Sequence, residues 1–196
     1  MLNSRKYVKI LSELKALVLD FDGVLTDNCE EVGFSDRAIV KSRSHYDGQG
    51  ISLLRDIGLH IAIATNESEQ NAIAARFLVG KWNRLPSAQM PLSQGGWYPI
   101  KLFVGVGHIT KRDAVEKWLT SLSIAPEYCA AMGDDLVDVP LLTFVGFRAA
   151  PSTAEKVILD MADYVSIRPA GKGAVRDFAN EILRIREIDQ ITLRPF

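Results

Sequence analysis

Cysteine and histidine are scarce in this sequence of 196 residues, which contains two cysteines and three histidines. Cys29 and Cys129 lie far apart, there is no Cys-x-x-Cys pair, and no histidine stands at a metal-ligand spacing. These absences argue against a structural zinc site. The count permits one disulfide, but we favour two free thiols, as in a cytoplasmic protein.

An excess of charge of one sign is also missing, because 23 basic residues stand against 24 acidic ones. A general nucleic-acid-binding protein would carry a basic excess, so we expect no nucleic-acid partner. No segment approaches the roughly 18 consecutive apolar residues of a membrane-spanning helix. Residues 1–10 contain three basic side chains but no long apolar run, so we expect neither a signal peptide nor a membrane partner. The predicted location is cytoplasmic.

Hydrophobic residues make up 47% of the sequence and charged residues 24%, which is typical of a globular protein. Short apolar runs alternate with amphipathic segments, and this alternation predicts an α/β fold with a doubly wound parallel sheet. We expect a single domain over residues 1–196 with its core at about 14–186. The predicted strands are 14–20, 60–65, 101–106, 128–132, 147–149 and 164–167, and the predicted helices are 51–57, 69–78, 111–122, 139–144, 152–161 and 174–186.

Two segments interrupt this alternation. Residues 31–44 have β-branched side chains on both sides of a Gly-Phe-Ser-Asp sequence, which predicts a small β-hairpin insertion. Residues 79–99 contain several glycines and prolines that break any period, so we predict an exposed loop insertion there. Neither segment is long enough for a large cap domain.

Polar side chains end three of the predicted strands, namely Asp20, Thr65 and Asp134. Ligands of open parallel sheets bind outside the carboxyl ends of the strands, so these residues mark a candidate site. Asp20 and Asp22 stand two residues apart before Gly23, which permits the chain to turn. Two converging carboxylates repel unless a cation lies between them, and hard oxygen ligands suit Mg²⁺.

Each of these features has a plain structural alternative. Asp134, Asp135 and Asp138 could simply favour the N-terminus of a helix, and Thr65 could cap one. Lys111 lies in the first turn of a predicted helix, where it is either a solvated charge or a cation that meets an anion. Two acidic strand ends in one sheet exceed the needs of capping, however. Together with a hydroxyl and a lysine, they predict a metal-assisted phosphoryl-transfer site.

The segments Asp20-Phe-Asp-Gly-Val-Leu-Thr-Asp27, Thr65, Lys111 and Gly133-Asp-Asp135 resemble, in this order, the four motifs of the haloacid dehalogenase superfamily of phosphatases. Segments 22–27, 47–51 and 171–177 resemble its cap-less branch. That branch includes 3-deoxy-D-manno-octulosonate 8-phosphate phosphatase and the phosphatase-like domain of some N-acylneuraminate cytidylyltransferases. The resemblance covers about residues 14–185.

The resemblance implies catalytic roles for four residues. Asp20 would be the nucleophile that forms an aspartyl-phosphate. Asp22 would protonate the leaving oxygen and then activate water. Thr65 and Lys111 would bind the phosphate.

The resemblance also implies a Mg²⁺ ion held by the carboxylate of Asp20, the backbone carbonyl of Asp22 and Asp134. Asp135 and Asp138 would lie behind these ligands and orient Lys111 or a metal-bound water. The implied assembly is a homotetramer, in which the 31–44 hairpin and the C-terminal tail of a neighbour cover the site.

Substrate-binding candidates are less clear, because this chain departs from the branch where the substrate is recognised. Arginines of the branch are replaced by Tyr46, Ser52, Glu67 and Lys172. Each replacement removes a guanidinium that could form two parallel hydrogen bonds to a carboxylate. The remaining candidates for substrate binding are Asn66, His45, Asp47, Gly48 and Lys172.

The favoured hypothesis is a Mg²⁺-dependent phosphatase whose substrate is a small phosphorylated sugar acid of the ulosonate type. One alternative is a catalytically weak domain that promotes oligomerisation, which the missing arginines leave open. Another is a phosphomutase, which the small size and the lack of a cap domain disfavour.

Overall fold

The computed structural model describes residues 4–32 and 39–194. Six parallel strands form one sheet in the order β5-β4-β1-β6-β7-β8, and β2 and β3 form a separate antiparallel pair. In chain order, the strands β1 to β8 are Ala16–Asp20, Glu31–Val32, Ile39–Val40, His60–Ala64, Lys101–Phe103, Cys129–Met132, Phe147–Ala150 and Tyr164–Val165. The helices α1 to α8 of the described ranges are Ser4–Glu13, His45–Asp56, Ile73–Trp82, Pro86–Gln89, Ile109–Ser121, Val139–Phe144, Lys156–Met161 and Ala174–Ile185. The predicted doubly wound parallel sheet is confirmed.

Helices cover both faces of the sheet, and the pleat of β1 shows why. Leu17 and Leu19 point to one face, where they join the core formed with α1, α2, α3 and α8. Ala16 and Val18 point to the other face, which α5, α6 and α7 cover. All five residues of β1 are buried, as expected for a parallel strand with helices on both sides.

The start of the chain forms a helix that was not predicted. On its inner side the hydroxyl of Tyr7 donates to Glu181 at 3.0 Å, and the guanidinium of Arg186 donates to the carbonyl of Leu11 at 3.1 Å. These contacts attach α1 to the C-terminal helix α8. No helix in the described ranges is both long and apolar enough to cross a membrane.

Helix α2 begins at His45, six residues before the predicted start at 51. The hydroxyl of Ser44 accepts the backbone N–H of Tyr46 at 3.1 Å and caps the helix there. The following glycines lie inside the helix instead of preceding it. A Cβ atom at Gly50 would lie 2.9 Å from the Cα atom of Arg176, so this glycine permits α2 and α8 to approach closely.

The segment 79–99, predicted as an exposed loop, is largely exposed, but it contains short helices and two buried tryptophans. Helix α3 continues to Trp82, α4 follows, and the side chains of Trp82 and Trp97 are buried. The buried guanidinium of Arg55 in α2 donates to the carbonyls of Trp82 and Tyr98, both at 3.0 Å. Arg55 therefore attaches the segment to α2 by hydrogen bonds at two separate points.

The predicted hairpin is present, because Glu31 pairs with Val40 and Val32 pairs with Ile39 in antiparallel register. Its predicted turn lies at 33–38, outside the described residues. An isolated bridge between Thr26 and Arg43 connects the base of the hairpin to the loop that follows β1. The hairpin is the sole insertion of strands into the described part of the fold, which contains no large cap domain.

Candidate active site

The carboxyl ends of β1, β4 and β6 are neighbours in the sheet, and they bring Asp20, Thr65 and Asp134 to one cavity of about 390 Å³. The cavity is strongly polar. Its lining residues are Asp20, Asp22, Asn28, Thr65, Asn66, Glu67, Ser68, Asn71, Asp134, Asp135 and Val137. The predicted convergence of the three strand ends is therefore observed.

Lys111 lies directly behind this cavity with its side chain fully enclosed. Its Nζ atom lies 2.8 Å from Oδ1 of Asp20 and 2.6 Å from Oδ1 of Asp138. Burial by itself would disfavour the charged lysine, but Asp20 and Asp138 outweigh this effect and raise the pKa of Lys111. Lys111 is thus a permanent cation that touches the predicted nucleophile.

Asp138 uses both of its oxygens inside the protein. Oδ1 binds Lys111, and Oδ2 accepts the backbone N–H of Asp134 at 3.1 Å. Asp138 therefore orients Lys111 and the turn after β6. Asp135 lies nearer to solvent, where its Oδ1 accepts the N–H of Leu136 at 2.6 Å.

Negative charge exceeds positive charge at this site. Asp20, Asp134 and Asp138 each offer an oxygen, and the three oxygens lie within 4.8 Å of one another. Burial raises the pKa of Asp20 to about 8, and the charge of Asp138 adds to the rise. The same two causes raise the pKa of Asp134 to about 7. A single lysine does not neutralise three carboxylates, so a bound cation would stabilise their charged forms.

The local backbone fits such a cation. Gly23 has φ +81°, and any Cβ atom there would collide with the carboxylate of Asp134, so the loop after β1 closes directly onto the end of β6. Of Asp20, Asp134 and Asp138, the first two line the cavity. Both oxygens of Asp138 are hydrogen-bonded within the protein. Oxygen donors of this kind are the ligands that Mg²⁺ prefers.

The opposite wall of the cavity comes from the loop after β4. The hydroxyl of Thr65 is buried and accepts the backbone N–H of Glu67 at 3.1 Å. Asn66 lies beside it, close against the backbone of Gly107. The structure thus brings Thr65 and Asn66 to the cavity, beside Asp20 and on the side of β1 away from Asp134.

Sequence analysis missed Lys41, which lies over Asp22. Its Nζ atom lies 2.9 Å from Oδ1 of Asp22, 3.0 Å from Glu30 and 2.5 Å from Glu67. Burial would lower the pKa of Lys41, but these carboxylates raise it. Two features of the sequence could have indicated this contact. Lys41 lies in the predicted hairpin that flanks the site, and Glu67 places a negative charge where the branch has an arginine.

Four of the five predicted substrate-binding residues do not line the cavity. Asp47 is buried and accepts the backbone N–H groups of Gly173 and Arg176, each at 3.1 Å, so it caps α8. Gly48 packs against the indole of Trp82, and His45 is exposed at the start of α2.

Lys172 is exposed and lies 3.4 Å from a carboxylate oxygen of Asp27. The structure gives Asp47 and Gly48 packing positions, and neither residue lines the cavity. Of the five candidates, Asn66 alone reaches the cavity within this chain's described residues.

Comparison with known proteins agrees with this geometry. Residues 83–177 match the family of haloacid dehalogenase-like hydrolases. Over 170 residues the chain is 31% identical to 3-deoxy-D-manno-octulosonate 8-phosphate phosphatase of Salmonella typhi, which covers 87% of this chain and 79% of the relative.

Two solved structures have the same fold. The phosphatase of the same name from Yersinia pestis has a TM-score of 0.81 at 25% identity and covers 97% of this chain and 91% of its own. The Moraxella catarrhalis phosphatase, in complex with magnesium, phosphate and KDO, has a TM-score of 0.75 at 22% identity. It covers 94% of this chain and 94% of its own. The chain therefore belongs to the cap-less 3-deoxy-D-manno-octulosonate 8-phosphate phosphatase family of haloacid dehalogenase-like phosphatases.

Proposed function

We propose that this protein is a Mg²⁺-dependent phosphatase that hydrolyses the phosphomonoester of an acidic sugar through an aspartyl-phosphate. The observation that carries the proposal is the placement of Asp20 between Lys111 and Asp134 at the floor of a polar cavity. This placement provides a nucleophile, a fixed cation and a pair of metal-binding oxygens within one site.

In the proposed reaction, an oxygen of Asp20 attacks phosphorus while the ester oxygen leaves. Asp22 gives its proton to the leaving oxygen and afterwards takes a proton from the water that hydrolyses the aspartyl-phosphate. Lys111 neutralises the charge of Asp20 and of the phosphate, and Thr65 contributes its hydroxyl at the opposite wall. A Mg²⁺ ion held by Asp20, the carbonyl of Asp22 and Asp134 would neutralise phosphate charge.

The acidic-sugar assignment is supported by the curated relatives, which are named for a ulosonate phosphate, and by the Moraxella protein, whose structure contains KDO. The local residues restrict how a sugar acid could be bound. Ser52 is buried within α2 and does not reach the cavity, and Glu67 brings a negative charge where the branch has an arginine. The carboxylate of the substrate must therefore meet cations other than those arginines.

Phosphate release from an aryl phosphate, with and without Mg²⁺, tests the proposed chemistry. We expect Asp20→Asn to abolish turnover, because an amide does not form the aspartyl-phosphate. Asp160→Asn is the matched control, since Asp160 is an exposed carboxylate on α7. Activity of Asp20→Asn equal to that of the wild type would refute the proposed nucleophile.

A panel of phosphorylated eight-carbon and nine-carbon sugar acids, compared by kcat/KM with neutral sugar phosphates, tests the substrate class. We expect the sugar acids to be preferred. Equal kcat/KM values for acidic and neutral sugars would refute this part of the proposal and leave the phosphatase chemistry standing.

The proposal includes a homotetramer in the cytoplasm. Two exposed apolar pairs support an interface, namely Val32 and Val40 on the hairpin and Ile73 and Phe77 on α3. Cys29 and Cys129 are free, which fits a reducing compartment. Light scattering of the purified protein tests the oligomer, and a monomer at micromolar concentration would refute it.

A further inference from the structure

We propose that Lys41 is a positioning residue that orients the carboxyl group of Asp22 for proton delivery to the leaving group. This inference rests on the proposed phosphatase function and deepens it. It assigns a role to a residue that contacts the predicted general acid at 2.9 Å.

The contacts of Asp22 are one-sided. Its Oδ1 atom accepts hydrogen bonds from the hydroxyl of Thr26 at 3.0 Å and from Nζ of Lys41 at 2.9 Å. Among the residues that the structure describes, no donor contacts Oδ2 of Asp22, and Asp22 lines the cavity. Two donors on one oxygen fix the carboxyl rotamer and leave the other oxygen to the substrate.

The position of Lys41 differs from that of a surface ion pair. Its side chain is only 9% exposed and joins Asp22, Glu30 and Glu67, which come from three different segments of the chain. By contrast, Lys156 and Asp160 form an exposed pair within one helix, with side-chain exposures of 84% and 63%. Exposed pairs of that kind contribute little to stability or geometry.

Orientation matters at one step of the reaction. As an oxygen of Asp20 forms its bond to phosphorus, the bond between phosphorus and the ester oxygen breaks with its electron pair on that oxygen. The proton on Oδ2 of Asp22 passes to the same oxygen, and Asp22 becomes a carboxylate. A misdirected Asp22 would leave the ester oxygen to depart as an anion, which is hardest for a basic leaving group.

The test compares two substrates of nearly equal shape, phenyl phosphate and 4-nitrophenyl phosphate. The nitrophenolate leaves without protonation far more readily than the phenolate. The quantity to measure is kcat/KM, because it reports the steps up to formation of the aspartyl-phosphate. We expect Lys41→Met to lower kcat/KM for phenyl phosphate about 10-fold more than for 4-nitrophenyl phosphate, which is part of the roughly 100- to 10,000-fold that a general acid contributes.

Three further variants control for a loss of folding and for the loss of a lysine. Lys41→Met leaves three carboxylates together, so Lys41→Met combined with Glu30→Gln removes one of these charges at an exposed position. Lys156→Met is the control for the loss of a lysine, and we expect it to leave both kcat/KM values unchanged. Lys41→Arg, which keeps the charge and the donors, should recover part of the loss for phenyl phosphate.

The outcomes separate this inference from the proposed function. Equal losses for both substrates in the folded variants would show that Lys41 acts on structure or binding alone, and this would overturn the inference. Unchanged activity would also overturn it. A wild-type protein that releases no phosphate from either ester would overturn the proposed function and the inference together, whereas an active wild type with an inactive Asp20→Asn leaves the proposed function intact.

Discussion

Replacing Lys111 with methionine should destabilise the protein strongly, and the loss should depend on pH. The substitution leaves Asp20 and Asp138 buried without the cation that lies 2.8 Å and 2.6 Å from them. Removing one partner of a buried ion pair costs about 3–5 kcal/mol, a large part of the roughly 5–15 kcal/mol that holds a domain together. At pH 5 the loss should be smaller than at pH 8 and above, because Asp20 is protonated in both proteins at pH 5, whereas at higher pH Lys111 permits Asp20 to ionise in the wild type alone.

Urea unfolding followed by circular dichroism, in EDTA at pH 8, measures this loss. The double variant Lys111→Met with Asp138→Asn removes one unpaired carboxylate, so it should be more stable than the two single losses predict by addition. Lys156→Met removes an exposed lysine and should change the free energy of unfolding by less than about 0.5 kcal/mol. Strict additivity in the double variant, or a Lys111→Met loss as small as that of the control, would refute the electrostatic reasoning.

Three further predictions follow from the acidic centre and from the cap of α8. Asp20 and Asp134 have pKa values raised from 3.8 to about 8 and about 7 in the folded protein. The folded state therefore holds protons that the unfolded state has lost, so stability without Mg²⁺ should fall as pH rises from about 4 to 8. Thermal unfolding should show a larger stabilisation by Mg²⁺ at pH 8 than at pH 5.5, and an equal shift at both would contradict this. Gly23→Ala places a Cβ atom against Asp134 at φ +81° and should abolish most of the Mg²⁺-induced rise in Tm, whereas an unchanged rise would contradict the fit of the loop. Asp47→Ala removes a cap that receives two backbone N–H groups and should cost about 1–2 kcal/mol in urea unfolding, while a loss near zero would refute the capping role.

The sheet and the floor of the site could be predicted from the sequence because both depend on local patterns. Each parallel strand is a short apolar run, and β1 is the clearest example, since every one of its side chains is buried. Parallel strands end at one edge, so acidic residues that follow β1 and β6 must be neighbours once the two strands pair. The pairing of Ala16 with Cys129 and of Leu19 with Met132 is what brings Asp20 next to Asp134.

The differences from prediction arose where tertiary contacts override a local signal. Gly48 and Gly50 precede the predicted helix start at 51, yet both lie inside α2, because small residues permit contact with Trp82 and with α8. The glycines and prolines of 79–99 read as an exposed loop, yet Arg55 ties that segment to the domain through buried hydrogen bonds. Neither contact leaves a periodic trace in the sequence.

The site consequently has two parts with different origins. Asp20 and Asp134 are brought together by the order of the strands, and Lys111 reaches them from one helix, α5. Lys41 and Glu67 reach the site through side-chain contacts between a hairpin and a loop, which the strand order does not determine. One of the differences from the branch falls in this second part, since Glu67 replaces an arginine and pairs with Lys41 at 2.5 Å. The strand order therefore accounts for the acidic floor of the site, whereas Lys41 and Glu67 are placed by side-chain contacts above it.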